Sequence, residues 1–154
     1  MHIPDLNKYN YNLPIQLETV LAIGWLDPSE DFNQGPVPKQ IISKLWEIFF
    51  FERQGRDLLV NVLRGIHACG FCGFDSLVMG PDEKQHVLGH AEIWIPSGQV
   101  WYAAPTMIIH YIEKHQYLPP QEYLEAVRMV DIESLIDVQV EVDRLVQSGF
   151  DSQK

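Results

Sequence analysis

The period of the apolar positions changes several times along the chain, and each change marks an element. Residues 1–16 hold no sustained period. They are rich in Asn, Tyr and Pro and read as an irregular arm, although Tyr9, Tyr11, Leu13 and Ile15 alternate as a short edge strand would. Residues 17–26 are uncharged apart from Glu18, and the part over 20–25 predicts a strand, broken by Asp27-Pro28-Ser29. After Gly35-Pro36-Val37-Pro38 the period becomes helical. A helix over 39–53, entered from Pro38, carries one stripe of Ile41, Leu45, Ile48 and Phe49, widened by Ile42, Trp46, Phe50 and Phe51. An apolar surface that broad fits a largely buried helix or an aromatic partner-binding face, and Gly55 is expected to end it. The short run 58–63 predicts a strand.

Residues 73–89 contain glycines, Pro81 and a polar Asp82-Glu83-Lys84-Gln85 patch, and read as a loop. The β-prone runs 91–95 and 100–103 flank Pro96-Ser97-Gly98-Gln99 and predict a hairpin. Pro105 is expected to open a helix reaching about 114. A second begins near Pro120 with Tyr123, Leu124, Val127 and Val130. A third follows Asp131, carries Leu135, Val138, Val142, Leu145 and Val146, and closes at Gly149. The mixture predicts an α+β fold in one domain, a small antiparallel sheet with its hairpin packed against several helices. Residues 1–130 form the domain proper, and 131–154 a C-terminal helix packed on or appended to it.

Composition narrows the function classes. A chain of 154 residues, 46% hydrophobic, has material for one ordinary core without disulfide staples. Eleven basic against 21 acidic residues leave a net charge of −10. Phosphate backbones repel such a surface, so no nucleic-acid partner is expected. A basic protein partner suits it, as does plain solvation. No apolar run approaches the roughly 20 residues of a membrane span, and Met-His-Ile-Pro-Asp lacks the pattern of a leader, so no membrane association and a cytoplasmic location are expected. In that compartment a close cysteine pair points to metal binding or redox chemistry before a structural disulfide.

That pair is Cys69 and Cys72, the two cysteines of the chain, on the stretch His67-Ala68-Cys69-Gly70-Phe71-Cys72-Gly73. C-x-x-C places two thiolates on one turn, as a tetrahedral zinc site needs. Downstream, His110 and His115 stand at a spacing within the range of zinc-binding histidine pairs. A regular helix would hold them about 140° apart, so His115 needs a loosened last turn. The expected ligands are therefore Cys69, Cys72, His110 and His115, with His67 in reserve, and the expected metal is zinc. The plainer readings are two small buried thiols and helix-bonded histidines.

Two other chemistries compete. A thioredoxin-like turn needs its first cysteine at a helix N-terminus, whereas this turn runs into Gly73, Gly80 and Pro81. His90-Ala91-Glu92 resembles the H-x-E of zinc deaminases, but follows the cysteines instead of preceding them.

An ordered set of short motifs carries a family resemblance over residues 5–127. It comprises Asp5-Leu6 with Tyr9 and Tyr11, Gly24-Trp25-Leu26-Asp27, Gly35-Pro36-Val37-Pro38, Arg64-Gly65, and the H-x-C-x-x-C turn. Ala91-Glu92-Ile93, Tyr102-Ala103-Ala104-Pro105, His110-Tyr111 and His115-Gln116-Tyr117 with Pro119-Pro120 complete it. In these motifs the chain resembles a bacterial family of small proteins of unknown function. The resemblance implies that His67, Cys69, Cys72, His110 and His115 belong to one constellation, and it brings no activity. The expected role is a structural zinc site in a protein that acts through protein–protein interaction, immunity to a toxin being one example. The alternative is a zinc-dependent hydrolytic enzyme with Glu92 or a nearby acid as general base.

Overall fold

In the computed structural model, residues 2–11, 13–63, 67–73 and 77–153 are described. The centre is a three-stranded sheet in the order β1 (Val20–Ala22), β5 (Val100–Pro105), β4 (Glu92–Ser97). The expected hairpin is β4–β5, with Ser97 facing Val100 across Gly98, whose φ of 60° belongs to the turn. β1 runs parallel to β5, Val20 opposite Trp101, so the sheet is mixed and not purely antiparallel. A parallel pair needs a long crossover, supplied here by everything between residues 22 and 100.

Four consecutive residues of β4, Glu92 to Ile95, are buried, because both faces of the sheet are covered. On one face Trp94 meets Tyr9 of the N-terminal arm edge-on at 5.7 Å. On the other, Tyr102 meets Tyr123 of helix α3 (Gln121–Met129) at 5.9 Å. Among its described residues the arm forms no strand. It is tied instead by single bridges, Ile3 to Trp25 and Lys8 to Leu21.

Helix α1 (Lys39–Phe50) starts where Pro38 predicts it and buries Ile41, Leu45, Trp46 and Ile48. It ends before 53. Phe51 turns extended, and Arg53 reaches Glu133 in a two-bonded ion pair at 2.6 and 2.7 Å. Gly55 serves a separate turn, with φ +77°. The predicted strand 58–63 reduces to one bridge, Val60 to Glu92. Asn61 takes a positive φ of 51° and gives its amide N–H to Gln139 instead of to a ladder. The expected loop 73–89 includes residues 74–76, which lie outside those described. Its remainder folds into a second hairpin, β2 (Leu77–Met79) with β3 (Gln85–Val87), closed by Gly80 N–H on Lys84 O at 2.8 Å. None of its strand residues is fully buried, so they leave no buried period to read.

Pro105 ends β5, and helix α2 (Ile108–His115) begins three residues later. After α3, the third expected helix is divided. A 3-10 turn (Ile132–Leu135), capped by Asp131, precedes α4 (Val138–Asp151). Leu135, Val138 and Val142 join the core. Gly149 lies inside α4 and not at its end: a Cβ there would stand 3.2 Å from Leu17 and 3.3 Å from Ile15. It is a place where the arm comes close to the helix.

Candidate metal centre

The cysteine turn is closed by Gly73 N–H on Cys69 O at 3.1 Å, with Gly73 at φ +72°. Gly70 has its own reason. An added Cβ would lie 2.9 Å from Cδ of Pro28, so the turn presses against the ring that follows β1 and Asp27. Opposite stands α2, whose buried face includes His110 and Tyr111.

Both histidines approach the turn. His110 Nε2 lies 3.4 Å from Cys72 Sγ. His115 Nε2 lies 3.2 Å from Cys72 Sγ and 3.4 Å from Cys69 Sγ. One ligand atom from each of the four residues falls within 4.8 Å of all the others. A tetrahedron with metal–sulfur bonds of about 2.3 Å and metal–nitrogen bonds of about 2.0 Å has sulfur–nitrogen edges of about 3.5 Å. The observed separations match that edge within a few tenths of an ångström, so the cluster can bind a metal ion.

The end of α2 solves the angular problem posed by the spacing. His115 is the last helical residue, and Gln116 next to it turns left-handed at φ 56°. The N–H groups of Gln116 and Tyr117 both return to Tyr111 O, a widened closure in place of a regular turn. A loop from the other side holds this end. Gln34 Nε2 donates to His115 O at 3.2 Å, and Gly35 N–H donates to Gln116 O at 2.9 Å. Tyr117, fully buried, donates its hydroxyl to Asp5 at 2.7 Å and so anchors the same end to the arm. Phe71 covers the cluster, its ring 5.0 Å from His115 and 5.4 Å from Phe32.

Electrostatics fit a site that charges only when a cation arrives. Burial, then the neighbouring His115 and Lys114, push the His110 imidazole down to about 4, and burial with Lys114 lowers that of His115. Both rings are therefore neutral near pH 7, as ligands must be. Burial and then the partner thiol Cys69 raise the Cys72 thiol. A bound cation reverses that preference and releases the protons. His110 Nδ1 is buried without a hydrogen-bond partner among the described residues.

Other candidates stand elsewhere. His67 does not join the cluster, contrary to what the resemblance implies. Its Nε2 meets the Tyr11 hydroxyl, and its backbone N–H is held by Gly89 O at 3.0 Å. Residues 69–73 form a turn and no helix among the described residues, which leaves a redox reading of the pair without its dipole. His90 packs on Phe49 at 6.2 Å, away from both thiols. Glu92 is no simple polar strand residue. It is 1% exposed and accepts from Tyr9 at 2.5 Å, Trp94 Nε1 at 2.9 Å and Asn61 Nδ2 at 3.1 Å. Nothing in the spacing of Tyr9, Asn61 and Glu92 announces this network, because its members come from three distant segments.

The chain belongs to the family described as Domain of unknown function (DUF7919), whose model matches residues 1–128. The match includes all four cluster residues and ends before α4. No curated protein and no solved structure matches the chain. No helix among the described residues is long and apolar enough to cross a membrane.

Proposed function

We propose that Cys69, Cys72, His110 and His115 hold a structural zinc ion that clamps the cysteine turn to α2, in a protein that works by binding a basic protein partner. The observation that carries the metal reading is the convergence of four ligand atoms, two from the turn and two from α2, within 4.8 Å. Two thiolates and two imidazoles favour zinc over the hard cations, which prefer oxygen. Four protein ligands close the tetrahedron and leave no position for a reacting water, which favours a structural over a hydrolytic role. Glu92 is not one of the converging groups.

The partner reading rests on charge and on the outer edge of α1. Ile42, Trp46 and Phe50 follow one another at helical spacing along one side of that helix. With Met79 they line a shallow groove whose rim carries Glu47 and Glu113 and no lysine or arginine. Phe50 is 40% and Met79 56% exposed. A segment with an apolar side chain flanked by lysine or arginine complements this surface, and neutralisation of a toxin is one form such binding can take.

Elemental analysis of the purified chain, beside Cys69→Ser and His115→Ala, tests the metal. One zinc per wild-type chain and a loss in both variants are expected. Wild-type protein produced with zinc available yet containing none overturns the proposal, and full zinc in His115→Ala removes that residue from the site. For the partner, an array of lysine-flanked leucine and phenylalanine peptides should bind the wild-type chain and not Phe50→Glu. Equal binding by both excludes the groove.

A further inference from the structure

Among the described residues the second sheet has two strands, β2 and β3, and each keeps an outer edge. Gly80 N–H bonds Lys84 O at 2.8 Å. Antiparallel ladders alternate, so the next inward groups of β2 are those of Val78, opposite His86, and the N–H and C=O of Leu77 and Met79 point outward. Among the described residues none of these four outward groups has a hydrogen-bond partner. Val78 and His86 share the face turned to α1, where the His86 ring lies 4.7 Å from Phe50. Leu77 and Met79, both exposed, stand on the other face.

We infer that the outer edge of β2 takes an extended segment of a basic protein partner as a third strand, with an apolar side chain and a lysine or arginine two positions apart. The inference rests on the partner reading above and adds the form in which the partner binds. Outward N–H and C=O groups in alternation match a backbone that offers acceptors and donors in the same order. An extended chain does so, whereas a helix has bonded its own groups internally. Location selects the edge of β2: Met79, Gly80 and Pro81 border the α1 groove together with Phe50, Glu47 and Glu113.

Spacing follows from the pleat. Side chains of an added strand alternate between its two faces. The one opposite Val78 falls on the α1 side, toward Phe50, and an apolar group fits there. The one opposite Gly80, two positions along, falls on the same side, where Glu47 and Glu113 line the groove and no lysine or arginine does. A basic side chain complements that position. A second copy of this chain is the poorer occupant, because each copy carries a net charge of −10.

Calorimetry on the full, zinc-supplied chain tests it, with the capped peptide lysine-valine-leucine-valine-lysine as the probe, whose symmetry serves either strand direction. Saturable binding is expected. Backbone N-methylation, one position at a time, should weaken it about tenfold at alternate positions and leave it unchanged between them. Met79→Pro deletes one outward N–H and no ladder bond, so it should weaken binding as much, while Met79→Leu should bind as wild type does. Methylation tolerated at every position overturns the strand, and leaves the groove reading standing if Phe50→Glu still abolishes binding. No binding of the unmodified peptide also overturns the inference, and the groove is then decided by its own peptide array. If Met79→Pro does not fold, the methylated peptides decide. Dimerisation of the free chain that Met79→Pro abolishes would give the edge to a second copy and overturn the partner.

Discussion

Replacing Tyr9 by Phe deletes one oxygen from the interior and leaves the ring in place. Tyr9 is fully buried, its ring set between Trp25 at 5.6 Å and Trp94 at 5.7 Å. Its hydroxyl donates to Glu92 Oε2 at 2.5 Å, while Asn61 and Trp94 both bond Oε1. The substitution thus strips Oε2 of this donor at a side chain that is almost fully buried. A hydrogen bond to a charged group contributes about 1.5–3 kcal/mol, and the loss of a buried hydroxyl that no longer needs desolvating returns part of it, so a net cost of about 2 kcal/mol is expected. For a chain of this size each kcal/mol shifts Tm by about 2–4 °C, which gives a fall of about 4–8 °C. The assay is thermal and urea unfolding of zinc-supplied wild type and Tyr9→Phe, completed as a double-mutant cycle with Glu92→Gln. The two substitutions should be strongly non-additive. An unchanged or raised Tm in Tyr9→Phe, or simple additivity in the cycle, would show that the hydroxyl does not stabilise the Glu92 carboxylate.

Three further outcomes follow from the same structure. Free zinc at a hundred times its dissociation constant should raise stability by about 2.7 kcal/mol over chelated protein, and a Tm indifferent to zinc refutes the structural metal. Gly70→Ala drives a methyl into the Pro28 ring at 2.9 Å, so the turn must shift and zinc should be released faster to a chromogenic chelator; wild-type release kinetics would show that the contact does not position the turn. Gly149→Ala should stabilise by up to about 1 kcal/mol, because helix propensity rises. The atoms nearest its new methyl are the flexible ends of Leu17 and Ile15, and a lower urea midpoint would show that they do not yield.

The four residues of the cluster were legible in the chain because the chemistry of zinc restricts both residue type and spacing. Cys69 and Cys72 announce half of a tetrahedron, and His110 with His115 supply a compatible second half, even though a straight helix would have kept them apart. The β4–β5 hairpin was legible for a similar reason, a local turn between two β-prone runs. Local signals failed where long-range partners decided. Asn61 left the expected strand for Gln139, 78 positions away, and Arg53 left α1 for Glu133, 80 away. The β2–β3 hairpin escaped notice because its exposed strands bury no alternating face.

Sequence by itself determined the elements with a strong period, the α+β class, the net negative charge and the four residues that converge in the cluster. Tertiary structure alone decided the parallel pairing of β1 with β5, the removal of His67 from the cluster to Tyr11, and the bond from Tyr9 to Glu92. Periodicity and ligand spacing are short-range properties, written within one turn or one hairpin. The pairing, the His67–Tyr11 contact and the Tyr9–Glu92 bond join residues 81, 56 and 83 positions apart, and only closure of the whole chain brings such groups within reach.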